Sequence, residues 1–269
     1  MSDQLKKSAK NMEDYKTPML KSLDKALCVL LMFAGEKQEY TLMEIAKKLG
    51  LSKGTVHRIL LTTINRGFIE QNPITGKYQL GIKMYELGSI VTKRMDLRRE
   101  ALPVLIALSK KTGETSHLII ENEGEALCIE RIDGSGYVKL LFMDVGRRMP
   151  LNVGAGPVVL LAGMKDKEIE RWLLTHRLEA KTDYSIVDPK KLMEKIEFIR
   201  ENGYAVSMED ATAGVAAVGA PIKDVHGDTI GVVSIAGLCT RFQNERLELL
   251  ISEVVDAGKQ ISYRMGWRG

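Results

Sequence analysis

Residues 41–67 read TLMEIAKKLGLSKGTVHRILLTTINRG. Apolar Leu42, Ile45, Ala46 and Leu49 recur at helical spacing, which predicts one short helix. Gly50 ends it, because glycine enters the left-handed conformation without a Cβ penalty. Leu51 plugs the turn, and Ser52 is a natural N-cap for a second helix, its hydroxyl accepting an orphan backbone N–H. In that second helix Val56, Ile59, Leu60 and Thr63 share one face. Gly54, Arg58, Leu61 and Asn65 point the other way, flanked by Thr55, His57 and Thr62. Two short helices joined by a tight glycine turn are the plan of a helix-turn-helix, whose second helix enters the DNA major groove. A core α-hairpin shares that plan. It rarely sets Lys53, Thr55, His57 and Arg58, four potential donors, on the first exposed turns of its second helix.

The residues that follow extend the reading. Phe68–Gln71 and Lys77–Leu80 are two short strand patterns around the turn 72–76, Asn-Pro-Ile-Thr-Gly. Such a hairpin is the wing of a winged helix, and Lys77 near its tip, beside Tyr78, is placed to meet phosphate. Charge agrees. Residues 1–95 carry 16 Lys+Arg against 9 Asp+Glu, and residues 96–269 carry 23 against 26, so the basic half holds the helix-turn-helix. The DNA-contacting set expected is Ser52, Lys53, Thr55, His57, Arg58, Thr62, Lys77 and Tyr78.

Before this head, residues 1–18 are polar and lysine-rich, which reads as a flexible tail or as an arm on DNA. Ser22 is expected to cap a helix whose stripe Leu23, Ala26, Leu27, Leu30 and Leu31 packs under the helix-turn-helix. After the wing, Lys83–Met95 is a helical linker, followed by a helix over Leu97–Lys111 that Pro103 should kink or start. From Glu114 the pattern turns to strands: Ser116–Ile120, Ala126–Arg131, Tyr137–Met143, Ala216–Lys223 and Thr229–Leu238. Helices are expected over Gly156–Met164, Lys167–His176, Pro189–Asn202 and Asn244–Met265, giving an α+β domain.

Several classes are disfavoured. No apolar run reaches the ~18 residues that span a bilayer, and no signal-peptide pattern opens the chain, so a cytoplasmic location is expected. Cys28, Cys128 and Cys239 are odd in number and widely separated, and read as reduced core cysteines. The histidines His57, His117, His176 and His226 lack ligand spacing, so no metal and no cofactor is expected. An enzyme acting on a small metabolite through the Gly154–Gly156 loop, with Asp144, Glu209 and Asp210 as carboxylates, is the alternative. It lacks a P-loop lysine and any Ser-His-Asp or Cys-His set. A DNA-binding architectural protein without a ligand is a third.

The motifs LMEIAKKLGLSKGTVHRIL, GFIEQNPITGKYQLG, GETSHL, RRMPLNVGAG and ENGYAVSMEDATAGVAAVGAPIKDVHGDTIGVVSIAGL stand in this order from about residue 42. Together they resemble an IclR-type bacterial transcriptional regulator. The resemblance implies an N-terminal all-α winged helix-turn-helix over 19–81, a linker helix over 82–96, and a C-terminal α+β, GAF-like effector domain over 97–269. It also implies homodimers, or tetramers as dimers of dimers, on palindromic double-stranded operators, with a repressor as the expected sense of regulation. The effector implied is a small, carboxylate-bearing metabolite, held by backbone N–H groups of the loop Pro150–Gly156. The pocket positions carried over are Gly154, Ala155, Ser207, Ala217, Ser234 and Ala236, with Leu140, Phe142 and Met149 as apolar wall. Relatives that bind small keto acids place Asp, Cys, Ser and Ser where this chain has Ser207, Ala217, Ser234 and Ala236, which favours a more apolar ligand. Pro157 replaces a frequent lysine, and Gly54 a frequent Ser or Thr.

Overall fold

The computed structural model describes residues 20–35, 37–93, 96–135 and 143–269. The chain divides into two compact units, the first ending at Thr92 and the second beginning at Lys93. The first contains α1 (Lys21–Met32), α2 (Leu42–Leu49), α3 (Lys53–Asn65), β1 (Ile69–Gln71) and β2 (Tyr78–Leu80), and α4 (Ile82–Lys93) runs to the boundary.

Each start and stop in the helix-turn-helix has a local cause. Thr41 and Glu44 form a capping box, Thr41 N–H donating to Glu44 Oε2 at 2.8 Å and Glu44 N–H to Thr41 Oγ1 at 3.3 Å. The Lys37 ammonium on the Glu44 carboxylate, helped by that backbone N–H, holds its pKa down to about 2. Gly50 closes α2 at φ 63°, and Ser52 caps α3 by accepting from Thr55 N–H at 3.3 Å. Val56 and Leu60 of α3 then join Val29, Met32, Phe33, Ile45 and Ile69 in one small core. In the wing, Ile69 pairs with Leu80 and Gln71 with Tyr78, and Asn72 Oδ1 accepts from the N–H groups of Ile74 and Thr75 to make the turn.

The first helix departs from expectation. Its N-cap is Leu20, whose carbonyl accepts from both Leu23 and Asp24 N–H, so Ser22 lies inside the first turn rather than at the cap. Its buried side is Val29 and Met32, followed by Phe33, while Leu23, Leu27 and Leu31 are 55%, 48% and 61% exposed. A helix apolar on most of its circumference offers two stripes, and the core takes the one carrying β-branched Val29.

The second unit begins with α5 (Asp96–Thr112), so Asp96 belongs to this helix rather than to the linker. Pro103 lies in its interior, and the carbonyl its ring leaves unbonded is that of exposed Arg99. Strands β3 (Thr115–Asn122), β4 (Glu125–Ile132), β5 (Arg148–Pro150), β6 (Ala205–Met208), β7 (Val215–Lys223) and β8 (Thr229–Leu238) form a sheet ordered β5-β4-β3-β8-β7-β6. Every neighbouring pair is antiparallel. Alternation along the strands splits the core. Ile119 and Val232 face α6 (Ala155–Ala162), α7 (Asp166–Thr175) and α8 (Pro189–Asn202), while Leu118 and Val233 face α5 and α9 (Asn244–Arg264). This is an α+β domain with helices on both faces of an antiparallel sheet.

Strands β5 and β6 were not expected, and the strand expected over Tyr137–Met143 lies outside the described residues except for Met143. Cys128 is buried in the core, its thiol pushed up to about 12 by burial; Cys239 is half-buried and packs against the core on the α5 and α9 face, while Cys28 is half-buried on α1. Among the described residues no helix is long and apolar enough to cross a membrane.

Candidate nucleic-acid interface and effector site

On the head, α3 presents its polar side to solvent. Lys53, Gly54, His57, Arg58, Leu61 and Thr62 are exposed, while Thr55 is half-buried with its hydroxyl 2.9 Å from that of Ser52. Thr62 donates its hydroxyl proton to the Arg58 carbonyl at 2.8 Å, which leaves its oxygen as an acceptor. In the wing Lys77 is half-buried, and Tyr78 packs on the small core with its backbone bridged to Tyr40. Tyr78 thus has a structural occupation the sequence did not suggest. Exposed Lys47 and the wing-tip Ile74, 92% exposed, lie outside the expected set.

In the second unit the organising feature is the start of α6. All eight of its residues are buried, so its N-terminus is buried too. Gly154 before it has φ 83° and ψ 157°, a conformation open to glycine and costly to any other residue. The N–H groups of Ala155 and Gly156 in the first turn have no acceptor within the helix, and Pro157 at the third position has no N–H at all. Gly219 permits the close seat of this turn on β7: a Cβ there would fall 3.2 Å from Gly156 N. A Cβ on Gly156 would in turn fall 3.6 Å from Ser234 Oγ, so that hydroxyl lies directly beneath the turn.

Register aligns two rows of side chains on this face of the sheet. Arg131, His117, Ser234 and Gly219 are successive cross-strand partners over β4, β3, β8 and β7. Thr115, Ala236, Ala217 and Ser207 are the next row. The expected positions Ser207, Ala217, Ser234 and Ala236 are therefore brought together with Gly154 and Ala155. Met149 on β5 reaches within 3.5 Å of where a Gly154 Cβ would stand. Leu140 and Phe142 lie outside the described residues.

Ser207 is less free than expected. Its hydroxyl donates to buried Asp210, whose other oxygen is 3.3 Å from Lys195 Nζ. Ser234 Oγ makes no hydrogen bond among the described residues. His117 and Arg131 lie in the same row without a sequence motif to mark them. His117 is 2% exposed, its Nε2 has no hydrogen-bond partner among the described residues, and burial, then the nearby Arg131 cation, pull its pKa down to about 4. The available signal was strand alternation, which puts His117 on the same face as apolar Ile119.

Asp144 is paired with Arg131 and Asp210 with Lys195, and among the described residues no three metal-binding side chains cluster.

A winged helix-turn-helix followed by an α+β, GAF-like domain defines a two-part DNA-binding regulator. Residues 22–73 match the IclR helix-turn-helix domain and residues 89–263 the C-terminal domain of bacterial transcriptional regulator IclR, so the chain belongs to the IclR family of transcriptional regulators. It is 34% identical over 247 residues to the HTH-type transcriptional regulator KipR of Bacillus subtilis, covering 92% of this chain and 98% of that protein. To the HTH-type transcriptional regulator XynR of Escherichia coli it is 32% identical over 250 residues, covering 93% and 99%. An IclR homologue from Microbacterium hydrocarbonoxydans, solved in complex with 4-hydroxybenzoate, shares the fold with a TM-score of 0.80 at 23% identity, over 91% of this chain and 98% of that one. Membership of a family of transcriptional regulators sets the enzymatic alternative aside.

Proposed function

We propose that this regulator is a repressor released from, or held on, a palindromic operator by a small carboxylate-bearing effector. Residues 19–81 bind DNA, residues 82–95 link, and residues 96–269 bind effector; the expected tail 1–18 lies outside the described residues. The observation that supports the effector reading is the buried start of α6, where the N–H groups of Ala155 and Gly156 have no acceptor among the described residues and the positive helix end faces the sheet. An anion there replaces the water those donors lost. Ser234 supplies a further donor, Ala155, Ala217 and Ala236 keep the seat apolar, and Met149 walls one side. The fold-sharing homologue complexed with 4-hydroxybenzoate supports an apolar ring bearing a carboxylate. Repression needs only occupancy of the operator, and Ser52, Lys53, Thr55, His57, Arg58, Thr62 and Lys77 supply the contacts for that; Tyr78 contributes by bracing the wing.

Gly154→Val tests the site. Valine opposes the positive φ and crowds Met149 and Pro157, each 3.5 Å from the new Cβ. Operator affinity without effector should stay within about twofold of wild type, and thermal stabilisation by benzoate or 4-hydroxybenzoate, expected near 2.7 kcal/mol at roughly 100 times Kd, should vanish. A Gly154→Val protein that these acids still stabilise would place the anion elsewhere.

A further inference from the structure

We propose that His117 is a specificity-determining residue of the effector site: its Nε2 hydrogen-bonds to a hydroxyl or carbonyl oxygen of an acid whose carboxylate sits on α6. The protein thereby selects hydroxy or oxo acids over their plain counterparts. This rests on the carboxylate reading above and goes beyond it by naming the ligand's second functional group.

The geometry runs through Ser234. Ser234 Oγ lies under the first turn of α6, and His117 is the direct cross-strand partner of Ser234 on the same face of the sheet. Ile119, two residues along β3, is the side chain that a Cβ on Gly156 would strike at 2.5 Å, which confirms the face by alternation. His117 thus stands one strand over from the anion seat. It is 2% exposed, and its Nε2 has no hydrogen-bond partner among the described residues. A polar atom stripped of water and left without a partner is costly, and native proteins retain few of them without a use.

Its charged neighbours do not take that place. Arg131, on the other side of His117, is committed to Asp133 at 2.7 Å and to Asp144. Those three charges balance to a net acidic surround, and burial keeps the imidazole neutral. A neutral imidazole offers one N–H or one lone pair at Nε2 according to its tautomer, which suits an uncharged oxygen rather than a second carboxylate. A site with such a buried polar group rejects ligands lacking the matching atom, because binding them seals the group away unpaired.

The experiment titrates full-length protein with two matched pairs, 4-hydroxybenzoate against benzoate and pyruvate against propionate, by calorimetry on wild type, His117→Phe and His117→Asn. Wild type should prefer the oxygen-bearing member of at least one pair by roughly 10–100-fold. His117→Phe should abolish that preference while keeping affinity for the plain acid. His117→Asn, polar but set back from the ligand, should fold readily and show a reduced preference, which decides the matter if the Phe variant does not fold. Discrimination unchanged in both variants, or no preference in wild type although the acids bind, overturns the assignment of His117 and leaves the anion seat standing. If no acid binds wild type, or if binding survives Gly154→Val, the carboxylate reading fails and this one falls with it.

Discussion

Arg58 is exposed on the outward side of the recognition helix, and its guanidinium carries donors in a fork that matches a guanine edge. Arg58→Ala should therefore cost about 1–3 kcal/mol in operator binding and relax specificity at one base position. Lys77 in the wing is proposed to meet phosphate as a point charge; Lys77→Ala should weaken all sequences alike and lower the slope of log affinity against log salt by about one unit. Operator titrations at several salt concentrations separate the two, and unchanged affinity in both variants would remove this docking geometry. His117 makes a different kind of prediction. Its ordinary pKa of 6.5 falls to about 4 in the fold, through burial first and Arg131 second, while Asp133 and Asp144 oppose the shift. Because the folded state resists the proton that the unfolded chain accepts, the contribution to stability is intact above pH 6.5 and is lost as pH falls through 4. At full extent that loss is on the order of 3 kcal/mol. Between pH 7 and pH 5 wild type should lose more of its melting temperature than His117→Asn does; equal slopes would show that this histidine titrates freely in the fold.

At the scale of elements, legibility follows the range of the interactions. The helix-turn-helix was readable because each of its signals is local: the apolar spacing in α2 and α3, Gly50 at φ 63°, the Ser52 cap. Helix α8 and strand β8 appear with the expected bounds for similar reasons, the first bracketed by Pro189 and Gly203 and the second by the turn at Asp224–Asp228. Strands β5 and β6 were not, since three or four residues give too few alternations to count and are held by their neighbours β4 and β7. The two rows beneath α6 could not be read at all. Which of Thr115 or Ser116 shares a face with Ser234 depends on a register between segments more than one hundred residues apart, and local pattern does not encode it. The resemblance supplied Ser207, Ala217, Ser234 and Ala236 as separate positions, and the sheet shows why they form one surface. It also shows what the resemblance omitted, that Ser207 is engaged by Asp210 while His117 Nε2 has no hydrogen-bond partner among the described residues.

At the scale of the whole molecule, one recognition helix spans too few base pairs to mark a unique site, so the proposed function requires at least two copies acting together. The exposed side of α1 is the surface we propose for that. Leu20, Leu23, Leu27 and Leu31 recur at spacings of three and four and are 68%, 55%, 48% and 61% exposed. A stripe of four leucines along one helix is more than scattered surface apolarity, and a helix pairing with its own copy about a two-fold axis buries such a stripe symmetrically. Leu23 and Leu27 contribute little to the small core, which takes Val29, Met32 and Phe33 instead. Replacing Leu23 and Leu27 by Glu should therefore leave the head folded by circular dichroism while splitting its self-association. Loss of the second half-site contact removes the avidity of the pair, so operator affinity should fall by roughly 10²–10⁴-fold. A single half-site, bound weakly by either protein, should change far less. Sedimentation of wild type should show a dimer or a tetramer, with footprints over inverted half-sites. A double variant that sediments and binds the operator as wild type does would assign self-association to another surface, and a monomeric wild type on an asymmetric footprint would contradict the paired-head mechanism itself.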